Sequence, residues 1–284
     1  LRLLPTEIAL FYSAVLNGQT PVGDTPTAAA SASGLYISWR EHIIDDSASA
    51  GFSLTGSDGL VMGDIDNDGF EDIVSVHEAD ATYDSASFLH VRIAFDSDDP
   101  EQWFNITIAE GTDTPAPEDA ALGDINGDGY LDVIVATERS HLIYLQNPGA
   151  LSRTQYWQRL IVPSTLDKGS YIRVFMADLN GDGSPEITTA NKGAQTPGPD
   201  DFARSTDVSV FTVNGDPLQG DSWQETVLGR YSVPQNAEPI DLDGDGDIDI
   251  VTGTRGEKRL VFFANTGTTD LAFTEHAIGV NGAQ

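Results

Sequence analysis

The sequence contains no cysteine and only five histidines in 284 residues. A disulfide framework is therefore excluded, and a zinc site built from Cys and His has few ligands available. Basic residues are also scarce, with 14 Lys and Arg against 45 Asp and Glu, for a formal net charge of -31. Because nucleic acid binding requires a basic surface, we expect no nucleic acid partner.

A long apolar run is missing as well. The most apolar early segment, residues 8–16, is shorter than the roughly 20 residues that cross a bilayer. Pro5 and Glu7 also make it a poor signal-peptide core. We therefore expect no membrane span. The first residue is Leu and not Met, which favours a processed or excised chain.

The sequence does contain a short acidic loop that occurs four times. The copies start at Asp64, Asp124, Asp178 and Asp241, at separations of 60, 54 and 63 residues. Each has oxygen-bearing side chains at loop positions 1, 3, 5 and 9 and a glycine at position 6. Calcium takes about six to eight oxygen ligands, and a sharp turn at glycine can direct alternate side chains and one backbone carbonyl at the ion.

The loops therefore predict about four calcium ions, one per loop, with the backbone carbonyl of position 7 as a further ligand. The predicted ligands are Asp64, Asp66, Asp68, Phe70, Asp72, Asp124, Asn126, Asp128, Tyr130, Asp132, Asp178, Asn180, Asp182, Ser184, Glu186, Asp241, Asp243, Asp245, Asp247 and Asp249. The third loop departs most from the pattern, because position 9 is a glutamate that follows a proline.

An EF-hand is the main competing interpretation of these loops. It requires an acid at position 12 and a helix on either side. Position 12 is Ser75, Val135, Thr189 and Thr252, and each loop is followed by a β-branched run. Each loop is therefore expected to join two strands.

A second repeat, offset from the loops, holds all four tryptophans. Its five aligned segments begin at Trp39, Trp103, Trp157, Trp223 and Phe273. An apolar strand that ends in Asn or Asp before a turn precedes each of the last four segments. The order of strand, acidic loop, strand, strand and Trp-containing strand at this period is typical of a β-propeller blade.

We therefore predict an all-β protein, a β-propeller of four-stranded antiparallel blades with four full blades and a partial N-terminal blade. The full blades are expected at residues 57–110, 118–162, 170–230 and 236–279, within a repeat region 35–284 that begins with a strand at 35–45. Residues 1–34 are expected to form a strand or a short helix and a Pro/Thr/Ala/Ser-rich loop. The propeller would be five-bladed or part of a larger one, in a longer chain or assembly.

The segment Gly-Asp-Ile-Asn-Gly-Asp-Gly-Tyr-Leu-Asp at residues 123–132 and its three companions resemble FG-GAP/VCBS-type repeats. These are the calcium-binding blades of integrin α-subunit propellers and of many secreted proteins. The resemblance covers about residues 35–279, and the chain is closer to the VCBS-like group because it lacks the Phe-Gly and Gly-Ala-Pro signatures. It implies a fold and a metal but no single function, since such propellers serve in adhesion, as lectins and in polysaccharide-degrading enzymes.

We expect an extracellular, cell-surface or periplasmic protein, because millimolar calcium is found outside the cytoplasm. The expected function is a non-catalytic binding or adhesion module with a glycan or an extracellular protein at the end opposite the calcium loops. The alternatives are a lectin domain, a structural subunit of a surface assembly, and a polysaccharide lyase or hydrolase domain that would use His77 or His141. The basic residues expected at the binding end are Arg139, Lys168, Lys192, Arg204, Arg230, Arg255, Lys258 and Arg259.

Overall fold

The computed structural model describes residues 41–78, 90–99, 101–154, 156–267 and 270–278. The chain divides into two units, residues 1–44 and 45–284. Only residues 41–44 of the first unit are described, and they contain no helix or strand. The strand or helix predicted within residues 1–34, and Trp39, lie outside the described residues.

The strand predicted at residues 35–45 is wrong in its described part, because residues 41–45 are irregular. A helix start explains this. Asp46 caps a short helix, α1 (Ser47–Ala50), and its Oδ1 accepts hydrogen bonds from the amides of Ala48 and Ser49 at 3.0 and 2.7 Å. A capping aspartate of this kind ends an extended segment.

The second unit contains four antiparallel sheets of four strands each. The strands are β1 (Ser57–Gly63), β2 (Asp72–His77), β3 (His90–Phe95) and β4 (Phe104–Glu110); β5 (Pro117–Gly123), β6 (Asp132–Thr137), β7 (Leu142–Gln146) and β8 (Gln158–Ile161); β9 (Tyr171–Ala177), β10 (Glu186–Asn191), β11 (Thr206–Val213) and β12 (Trp223–Tyr231); and β13 (Glu238–Ile240), β14 (Asp249–Thr254), β15 (Arg259–Asn265) and β16 (Phe273–Ile278). A second short helix, α2 (Pro199–Phe202), precedes β11. Within each sheet the strands neighbour one another in chain order, which confirms the predicted all-β fold of four-stranded blades.

The two central strands of the first two sheets and the second strand of the third sheet are buried almost throughout. Every residue of β3, β6 and β10 is buried. Such strands are covered on both faces, which explains why they read as β-branched and apolar runs without strict alternation. The first and fourth strands are more exposed, as in β12.

The aromatic residue of the last three Trp-type segments packs towards the preceding sheet. Trp157 is fully buried in a cluster with Ile93 and Phe95 of the first sheet. Trp223 contacts Tyr144 of the second sheet at 5.8 Å between ring centroids, and Phe273 packs in the cluster of the third and fourth sheets. This repeated contact between neighbouring sheets explains why an aromatic residue recurs at the same position of these three segments.

The antiparallel order places all four acidic loops at one end of the sheets. The loops join the first two strands of each sheet, while the connections between second and third strands lie at the opposite end. Among the described residues, no helix is long and apolar enough to cross a membrane.

Candidate functional site

In all four acidic loops the carboxylate at position 1 accepts hydrogen bonds from backbone amides of its own loop. Asp64 accepts hydrogen bonds from the amides of Asp68 and Gly69, both at 3.0 Å. Asp124 and Asp178 accept the equivalent bonds from loop positions 5 and 6 at 2.8–3.1 Å. In the fourth loop, Asp241 accepts the amide of Gly244 at 2.8 Å. The first carboxylate therefore holds the turn closed in each loop.

Two positions of each loop have left-handed backbone. Glycine at position 6 has φ of 95°, 89°, 91° and 100° at Gly69, Gly129, Gly183 and Gly246, which confirms the predicted sharp turn. Position 4 also has positive φ, at Asn67, Gly127, Gly181 and Gly244. The sequence analysis missed this second turn, although the restriction to Asn and Gly at position 4 signals it.

The position 5 carboxylate accepts the amide of position 7 in every loop. The distances are 3.0, 3.0, 2.8 and 3.0 Å for the pairs Asp68–Phe70, Asp128–Tyr130, Asp182–Ser184 and Asp245–Asp247. This bond fixes the peptide at position 7, whose carbonyl is a predicted ligand.

The acid at position 9 is buried and bonded to the backbone in all four loops. Asp72 accepts the amides of Ile65 and Asp96, both at 2.9 Å. Asp132 accepts those of Ile125 and Asn147 at 3.2 and 2.8 Å, and Asp249 those of Leu242 and Asn265 at 2.9 and 2.8 Å. These carboxylates therefore join each loop to the end of the third strand. Burial raises the pKa of Asp72 and of Asp132 to about 6, against the opposing effect of the amide bonds.

The third loop differs because position 9 is Glu186. Its Oε2 accepts the amide of Leu179 at 2.8 Å, and its Oε1 accepts the side-chain amide of Asn180 at 2.9 Å. The third-strand residue Asn214 instead donates its backbone amide to Ser222, at 2.8 Å. The link from loop to third strand is thus absent at this described site, and burial raises the pKa of Glu186 to about 7.

Positions 1, 3 and 9 converge in the first and fourth loops. Carboxylate oxygens of Asp64, Asp66 and Asp72 lie within 4.8 Å of one another, and so do those of Asp241, Asp243 and Asp249. Asp66 Oδ1 is buried and has no hydrogen-bond partner among the described residues. A buried carboxylate oxygen without a donor is costly unless a cation approaches it, so the residues present fit a hard divalent cation.

The second and third loops have Asn at position 3. Asn126 and Asn180 each donate their side-chain amide to the position 5 aspartate, at 2.9 and 3.1 Å. Their Oδ1 atoms accept the amide of the same aspartate at 3.0 and 2.8 Å. These loops carry one carboxylate fewer than the first and fourth loops.

A third group of converging carboxylates lies at the opposite end of the sheets. Oxygens of Asp58, Glu78 and Glu118 lie within 4.8 Å of one another. The sequence analysis missed this cluster because its members come from two sheets, and no local motif contains them.

The two histidines considered for catalysis are buried and hydrogen-bonded on both ring nitrogens. His77 Nδ1 and Nε2 lie 3.1 and 2.9 Å from the hydroxyls of Ser57 and Ser75. His141 Nδ1 lies 2.8 Å from Ser140 Oγ, and its Nε2 lies 2.9 Å from the carbonyl oxygen of Asp113. Burial lowers the pKa of His77 to about 4 and also lowers that of His141. This geometry favours a structural role for both.

The eight basic residues expected at the binding end differ in burial and in ion pairing. Lys192 is buried against Glu138, while Arg204, Arg230 and Arg259 form ion pairs with Asp201, Asp207 and Glu275 at 2.6, 2.7 and 3.6 Å. The side chains of Arg139, Lys168, Arg255 and Lys258 are exposed.

Arg255 and Lys258 border a pocket at the turn between β14 and β15. The pocket has a volume of about 340 Å³, and Gln235, Arg259 and Leu260 also line it. Arg255 stacks over the ring of Phe202, 5.6 Å from its centroid.

Comparison with protein-family models gives one finding. Residues 102–189 match the model described as an FG-GAP-like repeat. The matched segment includes the second sheet and the acidic loops that begin at Asp124 and Asp178. No match to the chain is found among curated proteins.

Proposed function

We propose that this chain, in which residues 102–189 match an FG-GAP-like repeat, is an extracellular β-propeller that binds calcium in its acidic loops and acts as a non-catalytic binding module. The observation that carries the proposal is the convergence of the carboxylates at positions 1, 3 and 9, together with the buried, unpartnered Oδ1 of Asp66. The bound ions would supply positive charge to neutralise the clustered acids. About four ions are proposed, one per loop, and the longer Glu186 makes the third site the most divergent.

A structural role for the metal follows from where the loops lie. Each loop joins the first two strands of a sheet, and its position 9 acid is also bonded to the end of the third strand in three of the four sheets. Calcium at the loop would therefore stabilise three strands at once, so folding and metal binding should be coupled. Because folding would then require bound calcium, we propose that the protein is located where calcium is abundant, in an extracellular, cell-surface or periplasmic position.

Calcium binding is tested by thermal unfolding in EGTA and in millimolar calcium, together with calorimetric titration of the chelated protein. We expect a higher Tm in calcium and a stoichiometry near four. Asp243→Asn should weaken binding at the fourth site without removing it, because it deletes one of three converging carboxylates and leaves Asn at position 3, as in the second and third loops. Asp200→Asn is the matched control, since it makes the same charge change on an exposed residue of α2. An identical Tm with and without calcium, and no binding heat, would contradict the proposal.

The module's ligand is proposed to be anionic and to bind at the end opposite the calcium loops. Support comes from the pocket beside Arg255 and Lys258, two exposed cations that form no ion pair within the described residues of a strongly acidic chain. An acidic glycan is the ligand that we propose, because its carboxylate or sulfate groups are complementary in charge to these two exposed cations.

The ligand is tested by adding calcium-loaded protein to an array of acidic and neutral polysaccharides, scoring both retention and released products. We expect retention on acidic polysaccharides that is lost in Arg255→Glu and Lys258→Glu but kept in Arg173→Glu, an exposed residue of β9. Product release would contradict the non-catalytic role. Retention unaffected by these variants, or no retention, would contradict an acidic glycan at this pocket and favour a protein partner.

A further inference from the structure

The first acidic loop forms ion pairs with an arginine side chain, Arg153. Arg153 belongs to the connection between β7 and β8 of the second sheet, but its guanidinium contacts the first loop. Its Nε donates to Asp66 Oδ2 and its Nη2 to Asp68 Oδ2, the latter at 2.7 Å. A positive group of the second sheet is therefore bonded to positions 3 and 5 of the first loop.

Further contacts with the first sheet hold the Arg153 side chain in place. Its Nη2 also donates to the carbonyl oxygen of Asp96 at 3.3 Å, and its guanidinium lies over the ring of Phe95, 5.0 Å from the centroid. The side chain is only 33% exposed. Four contacts to the first sheet hold the guanidinium in one position, unlike a typical surface arginine.

The first loop is unusual in having this partner. Among the described residues, no acid of the other three loops forms an ion pair with Lys or Arg. The corresponding connections of the third and fourth sheets, residues 214–222 and 266–272, contain neither Lys nor Arg. The fourth loop has the same number of acids at positions 1, 3, 5 and 9 as the first and so provides an internal comparison.

Arg153 leaves part of the first loop available. It uses Oδ2 of both aspartates, whereas Asp66 Oδ1 has no hydrogen-bond partner among the described residues. Asp66 still belongs to the converging group with Asp64 and Asp72. The arginine and a metal ion can therefore share one carboxylate through different oxygens.

The electrostatic consequence has a definite sign. Four clustered carboxylates repel one another when no metal is present, and a fixed guanidinium relieves part of that repulsion. The free energy of calcium binding is then less favourable, because part of the carboxylate charge is already neutralised and the guanidinium repels the ion. Arg153 should therefore stabilise the metal-free loop more than the calcium-bound loop.

We propose that Arg153 is an internal counter-cation of the first loop, which keeps the loop folded without metal and lowers its calcium affinity below that of the fourth loop. This inference rests on the proposed calcium binding. By linkage, whatever stabilises the metal-free state selectively must weaken calcium binding by the same factor.

The test uses Arg153→Gln, which removes the charge and keeps a hydrogen-bonding group. Arg159→Gln is the matched control, because Arg159 lies in the same sheet, is 27% exposed and pairs with Asp113 at 2.8 Å, away from the loops. Calcium titration and thermal unfolding are measured for both. We expect Arg153→Gln to tighten one calcium site by about 5-fold or more, and to lower the Tm more in EGTA than in millimolar calcium.

Two further variants keep the test informative. Arg153→Gln combined with Asp243→Asn should still show the tightened site, which places it outside the fourth loop. Arg153→Lys is used if the glutamine variant folds poorly. It retains the positive charge, so its changes in calcium affinity and Tm should be smaller than those of Arg153→Gln. An equal loss of Tm in both conditions with unchanged calcium affinity, or a weakened affinity, would overturn the inference. Absence of calcium binding in the unsubstituted protein would instead contradict the proposed function itself.

Discussion

Asn147 donates its side-chain amide to the carbonyl oxygen of Ile65, 2.9 Å away in the loop of the preceding sheet. The same amide donates to Leu131 in its own sheet at 3.0 Å. Asn265 repeats the arrangement between the fourth and third sheets, with bonds to Leu179 and Ile248 at 2.7 and 3.0 Å. One buried side chain therefore ties each of these loops to the loop of the preceding sheet.

Asn147→Ala should lower the free energy of unfolding by about 2–3 kcal/mol, because it leaves one buried and one part-buried carbonyl oxygen without their donor. Urea unfolding monitored by two probes checks this and shows whether the transition is cooperative. Gln158→Ala, at an exposed position of β8, is the control and should change stability by less than about 0.5 kcal/mol. Equal stability of Asn147→Ala and the control would show that the two bonds contribute nothing net.

The sequence analysis expects an Asn or Asp before the turn at the end of each of these apolar strands, and Asn147 occupies that position in the second sheet. The turn accounts for only some of the hydrogen bonds of Asn147. Its Oδ1 does accept the amide of Gly149 at 2.9 Å, which is the local bond expected of Asn in a turn. Its Nδ2 contacts a residue 82 positions earlier in the chain. No local pattern specifies such a partner, so this part of the interface could not be predicted.

Strands and loops could be predicted well because the chain repeats them. Four copies of one spacing indicate strand, turn and ligand positions independently of any single residue. Contacts between sheets are different, because they join positions far apart in the chain and some of them occur in one pair of sheets only. Lys192 is an example: the sequence placed it among surface cations at the binding end, but Glu138 of the neighbouring sheet pairs with it in the interior.

Lys192 and Glu138 form a buried ion pair, with side chains only 6% and 9% exposed. Lys192→Met should lower the free energy of unfolding by about 3–5 kcal/mol, because Glu138 is left as an uncompensated buried charge. The double variant Lys192→Met with Glu138→Leu should recover much of the loss. Chemical denaturation of the three proteins checks both expectations.

The exposed pair of Arg204 and Asp201 is the matched control for this experiment. The arginine side chain is 57% exposed, and Arg204→Met should therefore cost no more than about 1 kcal/mol. A Lys192→Met variant as stable as Arg204→Met would contradict the burial of the ion pair. Charge reversal at Lys192 is for the same reason unsuitable as a probe of ligand binding.

A substitution at Gly129 tests whether the left-handed turn at position 6 of the acidic loops requires glycine. Gly129 has φ of 89°, and a Cβ built at this residue meets no atom within 4 Å. Gly129→Ala should therefore lower the free energy of unfolding by about 1–2 kcal/mol through backbone strain alone, without a steric clash. Gly198→Ala is the control, because Gly198 has φ of -102°. If both variants unfold at the same denaturant concentration, position 6 does not require glycine.

Glu118 should make stability depend on pH. Burial, followed by the charges of Glu138, Asp58 and Glu78, raises its pKa to about 8, against about 4.3 in an unfolded chain. Between these values the folded protein keeps a proton that the unfolded chain has lost. Stability should therefore fall as pH rises from about 4.5 to 8. Below this range both states are protonated, and the contribution disappears.

Glu118→Gln keeps the neutral form at every pH and should remove this part of the pH dependence. Its stability relative to the unsubstituted protein should be nearly constant near pH 4 and should rise steadily up to about pH 8. Saturating calcium is used throughout, because Asp72, Asp132 and Glu186 also have a raised pKa. Glu238→Gln, at an exposed position of β13, is the control. A stability difference for Glu118→Gln that stays flat from pH 4 to 8 would mean that Glu118 is ionised in the folded protein.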